Sequence, residues 1–191
     1  MNEILLNELK KNDLNTYTDF FNFLSKDMTY GWVDNLTNIY YSVDENFASN
    51  YILQTPIEVF QKRLGICWDK SELVRAFLDT RNYLNKAYFY VFRDSPNEPC
   101  HSFNVIIENN EFIWLELSGS FKGIHKYNTL DDLLSDARKK IELHLSTVLN
   151  VVPNNYRKEA FELYEYNAPK NFHISASEWF KNCYSGNKIA L

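Results

Sequence analysis

Cys67, His101 and Glu116 are, in type and order, what thiol acyl chemistry uses. The sulfur attacks a carbonyl carbon, the imidazole takes and returns a proton, and the carboxylate fixes the ring's tautomer and steadies its charge. The spacing places Cys67 at the start of a helix, where unpaired backbone N–H groups and the macrodipole favour an anion and lower a cysteine pKa. Cys67, Ser71, Val74 and Leu78 share one narrow helical stripe, widened by Leu73 and Phe77, so the thiol points the same way as the buried face. A plain packing role for Cys67 is the competing reading, because free cysteine is among the most buried residue types.

The flanking elements follow from local signals. Thr55 caps, Pro56 suits the first helical position and Glu58 completes a capping box, so a short helix is expected over 56–63. Gly65 then breaks it, and a longer helix starts at about Cys67. A run of strand formers at 86–93 precedes Ser95-Pro96-Asn97-Glu98-Pro99, a loop because two prolines cannot serve a central strand. Strands at 101–107 and 112–118 form a hairpin around Asn109-Asn110. With a two-residue turn, Glu108 pairs with Glu111, and His101 and Glu116 become diagonal neighbours on one sheet face. A three-residue turn would put them on opposite faces.

Residues 1–43 show helical spacing, with Ile4, Leu5 and Leu9, then Tyr17, Phe20, Phe21 and Leu24, then Val33, Leu36, Ile39 and Tyr40, and read as two or three short helices. Tyr30-Gly31-Trp32-Val33-Asp34 interrupts them and is assigned no chemistry. Residues 121–127 form a loop or short strand, Thr129 caps a helix to about Leu145, 153–166 suggests another helix, and Ser175-Ala176-Ser177-Glu178 opens a last one that Gly186 ends. The whole chain, 1–191, reads as a single α+β domain, with its core at about 55–118 and helical extensions on both sides.

Composition narrows the functional classes. A net charge of −5 without a basic cluster disfavours nucleic acid and anionic membranes as partners. The N-terminal segment is neither a secretory signal nor a membrane span, which points to the cytoplasm. Cys67, Cys100 and Cys183 lack framework spacing and are expected as reduced thiols. No C-x-x-C, H-E-x-x-H or P-loop pattern calls for a metal or a nucleotide, so no cofactor is expected.

Gly65-Ile66-Cys67-Trp68-Asp69 running into Leu73, His101-Ser102-Phe103-Asn104-Val105 and Phe112-Ile113-Trp114-Leu115-Glu116 together resemble the motifs of the transglutaminase-like superfamily of papain-type folds. Tyr30-Gly31-Trp32 and Lys122-Gly123-Ile124-His125-Lys126-Tyr127 look more narrowly like transglutaminase-like proteins of bacteria. The resemblance covers about 55–118 and implies a Cys67–His101–Glu116 triad in a core where the cysteine helix packs on an antiparallel sheet. It departs from the family in offering glutamate where aspartate is usual. It also implies that Gln61, six residues before Cys67, donates to an oxyanion beside the Cys67 N–H, against a plain surface glutamine. Trp68 is either a cleft wall or a core aromatic, and Asp69 reads as a helix-start charge.

His125 and Cys100 are the rivals for the base and the nucleophile, while His144 and His173 are set aside as ordinary histidines. The expected activity is cysteine-dependent hydrolysis or acyl transfer on an amide or ester carbonyl, of peptidase, amidase or transglutaminase type, with a protein or peptide substrate. The alternative is a catalytically silent module of the same fold that binds a protein or peptide in an aromatic cleft.

Overall fold

The computed structural model describes residues 3–43, 45–152 and 156–190. Helices α1 (Glu3–Lys11) and α2 (Tyr17–Asp27) bury Leu5, Leu9, Phe20 and Leu24, and Thr16 and Asp19 form a capping box at the start of α2. The helix expected over Val33 to Tyr40 is instead a hairpin of β1 (Trp32–Val33) and β2 (Ile39–Tyr40). Asp34 organises the reversal by accepting from the N–H groups of Leu36 at 2.9 Å and Asn38 at 2.8 Å, with Thr37 at a φ of +68°. This side-chain alternative to helical bonding is favourable for Asp, and Leu36 and Ile39 are left exposed.

After α3 (Phe47–Asn50) comes α4 (Pro56–Lys62), opened by the Thr55–Glu58 capping box. The expectation that Gly65 breaks the chain by its backbone freedom is corrected, because Arg63 takes the left-handed cap at φ 53°. Gly65 serves close approach: a Cβ there would lie 2.8 Å from the Asp69 Cβ and 3.2 Å from Val59. Helix α5 (Cys67–Thr80) is buried from Cys67 to Leu78, not along one stripe, since the sheet covers one side and α4 another.

A six-stranded antiparallel sheet forms the centre. Its strands are β3 (Leu84–Phe92), β4 (Cys100–Glu108), β5 (Glu111–Glu116), β6 (Gly123–Tyr127), β7 (Phe161–Tyr166) and β8 (Asn187–Ile189), in the order β6-β5-β4-β3-β7-β8. Glu108 pairs with Glu111, and Asn109 and Asn110 take φ of 52° and 64°, the left-handed pair that a tight two-residue hairpin turn requires.

Strand β7 overturns the helix expected over 153–166, of which Pro153 itself lies outside the described residues. Phe161 and Leu163 alternate with Glu162 and Tyr164, and pairing with β3 satisfies an edge that a helix would leave open.

Helix α6 (Leu130–Leu143) continues as a π-helical turn, His144–Val148, and covers the sheet face carrying Phe103, Val105 and Trp114. Helices α1, α2, α4 and α5 cover the face carrying Ile106, Ile113 and Leu115. The last helix, α7 (Ala176–Tyr184), opens with the Ser175–Glu178 capping box and packs beside Trp68 and Phe89. The architecture is α+β, with helices on both faces of an antiparallel sheet and α5 packed on β3 and β4.

Candidate active site

The first turn of α5 is pinned by Asp69. Its Oδ2 accepts from the Ile66 N–H at 3.0 Å, and its Oδ1 accepts from the Gln54 N–H and the Tyr51 hydroxyl, each at 3.0 Å. Burial pushes its carboxyl up to about 7, against the downward pull of those three donors. Asp69 is therefore a buried clamp between the segment before α4 and the start of α5, which is more than a helix-start charge.

Against this start lie the ends of β4 and β5. Their ladder stops at Asn104 and Leu115, and just past it a cavity of about 10 Å³ is lined by Cys67, Lys70, Ser102, Asn104, Glu116 and Ser118 among others. That is about the size of one water molecule. His101 Nε2 stands 2.7 Å from Glu116 Oε2. Cys67 lies near enough to the same imidazole to favour its protonated form. All three residues are buried. Burial acts against the imidazolium, but the Glu116 carboxylate and the neighbouring Cys67 outweigh it and raise His101 to about 10.

Glu116 is held on every side. The Trp114 indole N–H donates to Oε2 at 3.2 Å, and the Ser118 backbone N–H donates to Oε1 at 2.6 Å. The longer side chain, where aspartate was the usual residue, is thus fixed by its own neighbours.

The other candidates are placed elsewhere. Gln61 is exposed on α4 and is not among the side chains gathered round Cys67. Trp68 is 2% exposed, packed edge-on to Tyr51 and Phe180, so it is a core aromatic and not a cleft wall. His125 bonds the Phe121 carbonyl at 2.8 Å and lies against Trp114. His144 pairs with Ser120 Oγ at 3.1 Å, and His173 with Glu58 at the surface. Burial pushes the thiols of Cys100 and Cys183 up.

Two residues that sequence reasoning missed belong to the site. Tyr30 lies near Cys67, Cys100 and Asp69 and is 45% exposed. Lys70 carries its Nζ 5.4 Å from the Tyr30 ring centroid. The i, i+3 spacing from Cys67 was the available signal for Lys70, since such residues share a helix face. The Tyr30-Gly31-Trp32 segment stands out in the sequence, where it is assigned no chemistry, and it arrives through the contact of the segment before β1 with that preceding α5.

Among the described residues no cluster of His, Cys, Asp and Glu has the makings of a metal site, and no helix is long and apolar enough to cross a membrane. No protein-family model matches the chain, and no curated protein does either.

Proposed function

We propose that the protein is a cysteine-dependent acyl-transfer enzyme or hydrolase of the transglutaminase-like type, with Cys67 as nucleophile, His101 as acid and base, and Glu116 as the group that orients and charges the imidazole. The observation that carries this reading is the buried His101 imidazole paired with Glu116 at 2.7 Å through Nε2 and lying near enough to Cys67 for the two to interact. A protonated imidazole beside a cysteine at a helix N-terminus supports a thiolate nucleophile.

In the first half-reaction a bond forms from Cys67 Sγ to the carbonyl carbon. The C–N or C–O bond breaks, and the proton on His101 goes to the leaving amine or alcohol. In the second, His101 takes a proton from water or an acceptor amine, that oxygen or nitrogen bonds to the acyl carbon, and the thioester opens. The Cys67 N–H is one of the first-turn donors without an intrahelical partner and is the backbone group suited to the oxyanion.

The aromatic-cleft reading is supported less well. Trp68, Tyr51 and Trp179, its natural lining, are buried in the core. A reducing, cytoplasmic setting fits three free thiols, two of them buried.

Alkylation by iodoacetamide from pH 5 to 9, followed for each cysteine by mass spectrometry, tests the assignment. Cys67 is expected to react fastest of the three and to keep reacting at pH 6, and Cys67→Ala to abolish acylation by an activated ester. A Cys67 slower than Cys100 across the range would remove it as nucleophile.

A further inference from the structure

Lys70 follows Cys67 by three residues on α5, so its side chain leans back toward the helix start on the same face as the sulfur. It is 4% exposed and lines the cavity it shares with Cys67 and Glu116. Among the described residues no carboxylate or carbonyl accepts a hydrogen bond from its ammonium and no ion pair includes it; the charge meets only the face of Tyr30. The nearby carboxylates are committed elsewhere, Glu116 to His101, Trp114 and Ser118, and Asp69 to Tyr51, Gln54 and Ile66.

The Lys70 stem is buried, but its ammonium is not among the buried atoms that lack a partner and so keeps contact with solvent. Burial brings Lys70 down to about 8, while Cys67 and Glu116 pull it back up, so at neutral pH it remains a cation beside the nucleophile. Tyr30, 45% exposed, forms a wall from this ammonium to the solvent.

We propose that the solvent-touching Lys70 ammonium, at the edge of this water-sized cavity, is an anion subsite that takes a carboxylate carried by the acyl substrate and holds it beside the carbonyl that Cys67 attacks. The proposal rests on Cys67 being the nucleophile. An acyl substrate rich in carboxylate near its reacting carbonyl, such as an acidic peptide, fits one fixed cation better than a neutral one does. The developing oxyanion is already served by the Cys67 N–H, which leaves the ammonium for the substrate's own charge.

Iodoacetate and iodoacetamide attack the same sulfur and differ in carrying a carboxylate, so the ratio of their rates at Cys67 cancels the availability of the thiolate. In the wild type the ratio is expected to favour iodoacetate relative to free cysteine. In Lys70→Met it should fall about fivefold, the scale of one charge pair about 4 Å apart in water, and in Lys70→Arg most of it should return. Lys70→Gln serves should the methionine variant not fold.

An unchanged ratio would overturn the subsite while leaving Cys67 as nucleophile. A Cys67 that reacts with neither reagent would overturn both. Hydrolysis of p-nitrophenyl acetate and of the p-nitrophenyl half-ester of succinate then separates the two anions. Loss confined to the succinate ester in Lys70→Met supports the carboxylate, and equal loss on both esters assigns Lys70 to the oxyanion and overturns the proposal.

Discussion

Helix α5 carries two clusters of buried charge, one turn apart and differently built. In the deeper one, Arg75 Nη2 donates to Glu72 Oε1 at 3.1 Å, the Tyr166 hydroxyl donates to the same oxygen at 3.1 Å, and Arg75 Nη1 donates to the Tyr166 carbonyl at 3.2 Å. Ser71 Oγ donates to Asn104 Oδ1 at 2.9 Å and meets the Tyr166 hydroxyl at 3.0 Å. Cation and anion there are paired and tie α5 to β4 and β7, with Arg75 Nε and Asn104 Nδ2 left as the buried atoms without a partner. At the helix start, Glu116 and His101 are paired, but the Lys70 ammonium and the Cys67 sulfur face a cavity. Buried charge that closes on itself holds a fold together, and buried charge left open can act on something that arrives.

The largest effect expected from this contrast is on the closed cluster. Glu72→Ala leaves Arg75 buried without its anion, and should cost about 3–5 kcal/mol in urea unfolding. Cys67 in the fraction still folded should alkylate at its usual rate. A loss below about 1 kcal/mol would mean that the cluster is wetter than its burial indicates.

Next comes the base. His101→Gln should slow Cys67 alkylation at pH 6 on the order of a hundredfold, as the sulfur loses the imidazolium that supports its thiolate. It should also change the pH dependence of stability. His101 is raised from 6.5 to about 10, so its contribution is fully present below about 6.5 and is lost as pH rises through about 10. Lys70, lowered to about 8, works in the opposite direction at alkaline pH, so the decline is read as wild type minus His101→Gln. Parallel stability curves for the two proteins would sink the charged pair.

The smallest effect is expected where a lysine is removed from the open cluster. Lys70→Met should leave stability within about 1 kcal/mol of wild type or raise it, because no partner loses its charge. A loss comparable to that of Glu72→Ala would show that Lys70 is structural after all, and the distinction between the two clusters would fail.

Much of the site's frame was legible because it depends on signals a few residues long. The Thr55–Glu58 box, the helix start at Cys67 and the paired asparagines at 109 and 110 are local, and the last of these set the register that brings His101 to Glu116. The misreadings have physical causes of their own. Leu36 and Ile39 keep helical spacing in a hairpin because Asp34 captures the backbone N–H groups first. The 153–166 segment contains a strand because β3 offers it a partner, and an open sheet edge is visible only after the sheet has formed.

The sequence by itself determined the order of the elements around the core, the pairing of β4 with β5, and which cysteine stands at a helix start. Tertiary structure alone decided that Gln61 stays at the surface, that Trp68 is core, and that Tyr30 lies over the Lys70 ammonium. It also decided how the Glu116 carboxylate is held, through the Trp114 indole and the Ser118 N–H. The division follows range. Caps, turns and strand register are fixed by neighbours along the chain, whereas burial and the partner of a charge depend on which distant segments pack against it.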